Sequence, residues 1–134
     1  MIFAIFILLM CAVVHADSVE DAKNRALTSA ATDVATTAIA LANGATDYNP
    51  IIGSNSAMLI PMTVFKFYII DRVAKSDMSD QDKKAQLNLI TSFWGGASIN
   101  NFLILLGAVG PVCIMAGVAS GFIIHSTLSE ETKK

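Results

Sequence analysis

Charged side chains are scarce in this chain, and one long stretch has none. Asp, Glu, Lys and Arg make up 15% of its 134 residues, against roughly 25% in an average soluble domain. Residues 87–127 contain none of these four residue types. The net charge is −2, and no stripe rich in Lys and Arg is visible. These features exclude the usual electrostatic footprint of a nucleic-acid-binding protein, so we predict no nucleic-acid partner.

Histidine and cysteine, which often build metal and nucleophilic sites, number two each. His125 has no second ligand at metal-site spacing. Gly95-Gly96 lacks the Lys and Ser/Thr that follow in a phosphate-binding loop, and no serine has the context of a nucleophile elbow. Loss of an N-terminal segment would remove Cys11 and leave Cys113 without a partner for a disulfide. We therefore predict that the protein is not an enzyme and has no metal or cofactor.

Apolar segments, in contrast, are long. Hydrophobic residues make up 54% of the chain, and residues 102–124 contain no charge. A hydrocarbon core about 30 Å thick needs roughly 20 apolar residues in a helix. Residues 57–70 and 87–99 form two shorter apolar segments. The pattern predicts an all-α integral membrane protein, a bundle of about four helices, with the lipid bilayer as a partner. The bilayer would be a cytoplasmic (inner) membrane or a virion membrane.

The N-terminus resembles a secretory signal. Residues 1–14 are apolar, and Val14-His15-Ala16 precede the acidic Asp17, which predicts a signal peptide at 1–16 with cleavage after Ala16. The segment lacks Lys and Arg, so the alternative is an uncleaved, short anchor helix. After it we expect a helical membrane domain at 17–128 and a polar tail at 129–134.

Local signals predict where the helices begin and end. Ser18 and Asp21 have capping-box spacing, and Asn43-Gly44 is a typical helix stop, which together predict a helix over 17–43. A second helix is expected over 56–71. A third is expected from about residue 85, after Ser79 and Asp82, which have capping-box spacing. The third ends either at Asn100-Asn101 or at the stronger breaker within 107–111, and we favour the latter.

The basic residues predict the orientation of the connections. The connection at 72–84 carries Lys and Arg and is expected in the cytoplasm, whereas 44–55 carries none and belongs outside. A cleaved signal conflicts with this arrangement if residues 26–42 also span the membrane. Either the signal stays as an anchor, or this helix lies on or beside the membrane.

Ionisable residues within apolar segments are candidates for function because their burial costs free energy. Asp33 and Lys66 are such residues, and Asp71 lies at a helix end. We predict that Asp33 and Lys66 form an intramembrane pair, because each then has a counter-charge. Such a pair is either a structural tie between helices or part of a proton or ion pathway.

Further polar and small residues fall late in the chain. Asn100 and Asn101 either line a pore or form hydrogen bonds between helices. Gly117 and Gly121 form a GxxxG motif, which is typical of close helix packing.

The order of polar residues resembles a family of small prokaryotic and phage membrane proteins of unknown function. The matching positions are Asp33, Thr36-Thr37, Gly44, Asp47, Asn49-Pro50, Lys66 and Asn100-Asn101. The chain departs from the family in having Asp47 where Glu is usual, and in its N-terminal block and fourth apolar segment. The loop motif Asp47-x-Asn49-Pro50 is the most specific part of the match. The resemblance implies that residues 26–42 span the membrane, and it implies no activity.

These features favour a non-enzymatic subunit of a larger membrane, virion or envelope assembly. Its partners would be other membrane subunits or further copies of itself, contacted through small-residue helix faces. The alternative is a holin-like pore, a small channel or a transporter subunit that uses Asp33 and Lys66.

Overall fold

A computed structural model describes residues 18–45, 55–108 and 110–131 of the chain, with Glu131 described by its backbone only. Helices dominate this part, which contains no strand. The elements in chain order are α1 (Val19–Ala42), a 3-10 turn (Ser56–Met58), α2 (Leu59–Ala74), α3 (Asp80–Leu105) and α4 (Gly110–Glu131). For these described residues, the prediction of an all-α fold with about four helices is confirmed.

The ends of α1 follow from short-range interactions. Ser18 accepts a hydrogen bond from the backbone of Asp21 at 3.1 Å, and the Asp21 carboxylate accepts from the Ser18 backbone at 3.2 Å. This is the predicted capping box, and it satisfies amide groups that have no partner within the helix. At the other end Asn43 caps the helix, and Gly44 has a φ of +83°, a conformation that glycine adopts without strain.

The third helix is longer than the sequence pattern predicted. It begins at Asp80, where Ser79 accepts from the backbone of Asp82 at 3.2 Å, and not near residue 85. It continues through both asparagines, and Gly107 follows its end with a φ of +83°. The predicted turn within 107–111 is therefore confirmed, and the alternative turn at the asparagines is wrong. Helix α4 extends into the predicted polar tail.

Contacts between helices define an alternating up-and-down order. Arg25 on α1 contacts Asn88 on α3, and Thr37 farther along α1 contacts Asn101 farther along α3, so these two helices run parallel. Helices α2 and α4 run in the opposite direction. Helix α3 lies between α1 and α4, and α2 packs on α1 and α3.

The apolar core lies where α1, α2 and α3 meet, and it combines small with large residues. Ala22, Ala26 and Ala30 of α1 are fully buried against Ile70 and Leu87. Alanine at every fourth position forms one face of a helix, and its short side chain lets the neighbouring backbones approach. The Ala-rich composition of α1 is therefore explained by close packing.

Charge is concentrated at one end of the bundle, which we call the charged end. It consists of the start of α1, the end of α2, residues 75–84 and the end of α4. Asp71 lies here and pairs with Lys75 at 2.8 Å. At the opposite end the described residues carry no charged side chain.

Several sequence predictions fall outside the described residues. They are the signal peptide or anchor at 1–16, the loop motif Asp47-x-Asn49-Pro50 and the last residues of the polar tail.

Candidate functional site

A buried ion pair links α1 to α2. The Lys66 amine donates a hydrogen bond to Oδ2 of Asp33, although the two residues lie 33 positions apart in the chain. Their side chains are only 9% and 8% exposed. The structure thus brings together the two residues that the sequence singled out, in the middle of otherwise neutral helix faces.

The amide of Asn101 extends this pair to α3. Its nitrogen donates to Oδ1 of Asp33 at 3.0 Å and to the hydroxyl of Thr37 at 2.7 Å. Both oxygens of the Asp33 carboxylate therefore accept a hydrogen bond, one from α2 and one from α3. A buried carboxylate is tolerated when it is paired and hydrogen-bonded in this way. Asp33, Thr37, Lys66 and Asn101 together are the polar cluster of the bundle.

Trp94 covers the cationic side of the cluster. The Lys66 amine lies 5.5 Å from the centre of the Trp94 ring, within range of a cation–π interaction. This contact between Trp94 and Lys66 was not predicted from the sequence. The sequence did contain one indication that Trp94 lies near the polar cluster. Trp94 and Asn101 are seven residues, or two helical turns, apart, which places both side chains on the same face of α3.

Asn100 has a different environment from Asn101. Its amide nitrogen donates to the side-chain oxygen of Asn101 at 3.2 Å. Its own oxygen is buried and has no hydrogen-bond partner within the described ranges. Asn100 lines a groove between α3 and α4.

The glycines of the GxxxG motif lie against α3, away from the polar cluster. A Cβ atom on Gly117 would come within 2.8 Å of the Gly96 carbonyl oxygen, and one on Gly121 within 3.1 Å of that of Ser92. Only glycine permits this approach of the two backbones. The motif thus packs α4 on α3 within one chain.

The described residues contain no group of three or more His, Cys, Asp or Glu side chains that could hold a metal ion. The polar cluster has one carboxylate and one amine, and each contacts the other. Through these hydrogen bonds the cluster connects α1, α2 and α3.

Comparison of the chain with protein-family models, curated proteins and solved structures finds no match. The resemblance to small prokaryotic and phage membrane proteins stays a prediction.

In the part of the chain that the structure describes, one helix has the length and hydropathy of a membrane span, at residues 110–130 in α4. Insertion of the whole bundle into a membrane depends on how its polar and apolar side chains are distributed between its interior and its surface.

Proposed function

We propose that this chain is a multi-pass integral membrane protein and serves as a non-enzymatic subunit of a larger membrane or envelope assembly. The observation that carries the proposal is the reversed distribution of polarity in the bundle. Large apolar side chains cover the outside, and small or polar side chains fill much of the inside. A soluble bundle has the opposite arrangement, with its large apolar side chains inside.

The outer surface is apolar on several helices. Ile60 on α2 and Phe93 on α3 are each 72% exposed, and Phe122 on α4 is 68% exposed. Further exposed apolar residues are Val64, Phe65, Tyr68, Leu89, Val112, Met115, Val118 and Ile123. Exposed apolar surface of this extent marks contact with lipid or with another protein.

The interior of the bundle, in contrast to its outer surface, is rich in small and polar residues. Besides the polar cluster, the buried polar residues are Asn88, Thr91, Ser92 and Ser98. Small and hydroxyl-bearing residues are typical of contacts between helices in a membrane, where close packing and hydrogen bonds replace the hydrophobic effect. The bundle therefore has the side-chain distribution that a lipid environment favours.

Helix lengths are compatible with this environment. At about 1.5 Å per residue, α1, α3 and α4, with 24, 26 and 22 residues, exceed the roughly 30 Å of a hydrocarbon core. Helix α2 has 16 residues and is shorter, about 24 Å. Basic side chains at the charged end favour the cytoplasmic side for that end.

The bonding of the polar cluster favours a structural role over permeation. An ion pathway requires groups that water or ions can reach, whereas Asp33 and Lys66 are buried and bonded to each other. Helix α4 packs mainly on α3, so much of its apolar surface is available to lipid or to a neighbouring subunit. A tightly bonded interior and apolar outer faces are properties of an assembly component.

The proposal is tested by purifying the native protein from membranes in mild detergent. We expect the chain to resist extraction by alkaline carbonate and to migrate in a particle much larger than its own 14.2 kDa, together with other polypeptides. Recovery in the carbonate-soluble fraction contradicts membrane integration.

A homo-oligomer without other polypeptides favours the pore, channel or transporter alternative. In that case overproduction is expected to dissipate the membrane potential, and Lys66→Met to abolish this effect. An inert subunit accumulates without such leakage.

A further inference from the structure

Helix α2 has a much shorter apolar outer surface than α4. The apolar stretch of α2 and the turn before it covers residues 57–70, and Asp71 follows it. Its one charged residue, Lys66, is buried in the polar cluster. This stretch extends over about 21 Å, whereas the uncharged residues 110–129 of α4 extend over about 30 Å. Only the second length equals the thickness of a typical hydrocarbon core, about 30 Å.

The difference arises at the charged end of the bundle. Lys66 of α2 and Trp94 of α3 lie at the same level, because the amine is 5.5 Å from the centre of the ring. From this level towards the charged end, Asp71 follows after about 7.5 Å of helix, and Lys84 of α3 after about 15 Å. The first charge at the end of α2 therefore lies roughly 8 Å deeper in the bundle than that of α3.

Two features place the membrane boundary of α2 close to residue 70. The short Asp71 side chain is 42% exposed and pairs with the exposed Lys75 at 2.8 Å, and such charges are costly within hydrocarbon. Tyr68 is 60% exposed and precedes the exposed Arg72 by about one helical turn. Tyrosine is enriched where a membrane meets water, so both features indicate the same boundary.

The composition of this outer face favours lipid over another subunit as its neighbour. Contacts between membrane helices are rich in small residues, but the exposed positions of α2 hold no Gly, Ala, Ser or Thr. They hold large apolar residues instead, among them Ile60, Val64, Phe65, Phe67 and Tyr68. A bilayer adapts to an apolar surface that is too short for it by becoming thinner.

We infer that the bilayer is thinner beside α2 than beside α4, and that the outer face of α2 binds phospholipids with short acyl chains in preference to long ones. This inference rests on the proposed insertion into a membrane and goes beyond it, because it names the kind of lipid that fits one face. Tilting of the bundle moves the mismatch from one leaflet to the other. It does not remove the mismatch, since the apolar length of α2 stays the same.

Quenching of tryptophan fluorescence by brominated lipid tests the inference one face at a time. Phe65→Trp places an indole on the outer face of α2, where Phe65 is 53% exposed, and Ile123→Trp places one on α4 as the control, where Ile123 is 67% exposed. Trp94 is only 8% exposed, and its signal in the unsubstituted chain is subtracted. Each full-length variant is reconstituted in dibromostearoyl phosphatidylcholine mixed with either dimyristoleoyl or dieicosenoyl phosphatidylcholine, of which the latter has the longer chains.

The short lipid should displace the brominated lipid from α2 but not from α4. At position 65 we expect the relative binding constant of the dimyristoleoyl lipid to exceed that of the dieicosenoyl lipid by at least about threefold, because each ångström of mismatch costs free energy. At position 123 we expect no preference for the short lipid. Equal ratios at the two positions would overturn the inference. Absence of quenching at position 65 in both mixtures would overturn it as well, because protein then covers this face.

A pair of double variants tests whether the charges of α2 set the thickness. Asp71→Leu with Arg72→Leu lengthens the apolar stretch to residues 57–74, about 27 Å, so the preference at position 65 should disappear. Glu20→Leu with Lys23→Leu removes one acidic and one basic residue from the start of α1 and should leave the preference unchanged. Equal effects of the two double variants would contradict the inference.

Carbonate extraction separates this inference from the proposed function. If the chain resists extraction and yet shows equal lipid ratios at positions 65 and 123, the membrane subunit stands and only the thinner bilayer beside α2 is wrong. Recovery of the chain in the carbonate-soluble fraction contradicts both.

Discussion

The amide of Asn101 on α3 donates, over 3.0 Å, to Oδ1 of Asp33, and the Lys66 amine donates to Oδ2 of the same carboxylate. A single carboxylate on α1 is therefore bonded to both α2 and α3. Removal of one partner of such a pair is costly because the remaining charge stays buried, whereas neutral replacement of both partners can cost little. A stability test of this pair should therefore compare variants that remove one of the two charges with a variant that removes both.

We expect Lys66→Met to lower the free energy of unfolding by about 3–5 kcal/mol, because it leaves the Asp33 charge without its cation. The double variant Asp33→Asn with Lys66→Met should lie within about 1 kcal/mol of the wild type, since a neutral amide can still accept from Asn101. The measurement is the loss of helical circular dichroism on titration of the detergent-solubilised protein with sodium dodecyl sulfate.

Lys75→Met is the matched control for that series. Lys75 also pairs with an aspartate, Asp71, at 2.8 Å, but its side chain is 70% exposed at the charged end. Water replaces such a pair readily, so the unfolding midpoint should not change. Equal effects of Lys66→Met and Lys75→Met would contradict a special role for the buried pair.

Trp94 and Lys66 should be energetically coupled. We expect Trp94→Leu to destabilise the wild type more than it destabilises the Lys66→Met variant, with a difference of about 1 kcal/mol from the lost cation–π interaction. A double-mutant cycle of the same unfolding measurement gives this difference directly. Additive effects would mean that the ring contributes by packing alone.

Gly95 and Gly96 are neighbours in α3 but should respond differently to an added methyl group. A Cβ on Gly96 would come within 2.5 Å of the Gly117 carbonyl oxygen, whereas one on Gly95 meets the flexible end of Ile124 at 2.9 Å. Both variants gain helix propensity, up to about 1 kcal/mol.

We expect Gly96→Ala to be destabilising by roughly 1–3 kcal/mol, as for overpacked cores, and Gly95→Ala to be neutral or stabilising. Thermal unfolding in detergent, followed by circular dichroism, compares the two. If Gly96→Ala is as stable as Gly95→Ala, α4 does not pack on α3 at this crossing.

The parallel packing of α1 and α3 leads to a prediction about sidedness. Asn24 near the start of α1 and Asp77 before α3 both belong to the charged end, whereas Asn43 and Leu106 lie at the other end. In a variant freed of its native cysteines, we expect Cys at 24 and 77 to be protected from an impermeant maleimide in intact cells, and Cys at 43 and 106 to react. If the maleimide labels only one of positions 24 and 77, the two positions do not lie at the same end of the bundle.

Local signals predicted the helices well because helix ends depend on residues only a few positions apart. The Ser18–Asp21 capping box and Gly44 are such signals, and the structure confirms them. Gly107 is also a local signal, and it ends the third helix where expected. The capping-box spacing of Ser79 and Asp82 also marked the start of α3, and the structure confirms it. The helix was nevertheless predicted only from about residue 85, because its first turn is charged and the apolar pattern begins after that turn.

The sequence by itself determined an all-α chain, the main helix stops and the two ionisable residues that most need a partner. Only the tertiary structure decided which groups meet, because Asp33 lies 33 residues from Lys66 and 68 from Asn101. The orientation of α3 about its own axis could not be predicted from the sequence either. Adjacent helical residues point about 100° apart, so one asparagine faces Asp33 and the other faces the groove. Packing of α3 between α1 and α4 assigns Asn101 to the polar cluster and Asn100 to the contact with α4.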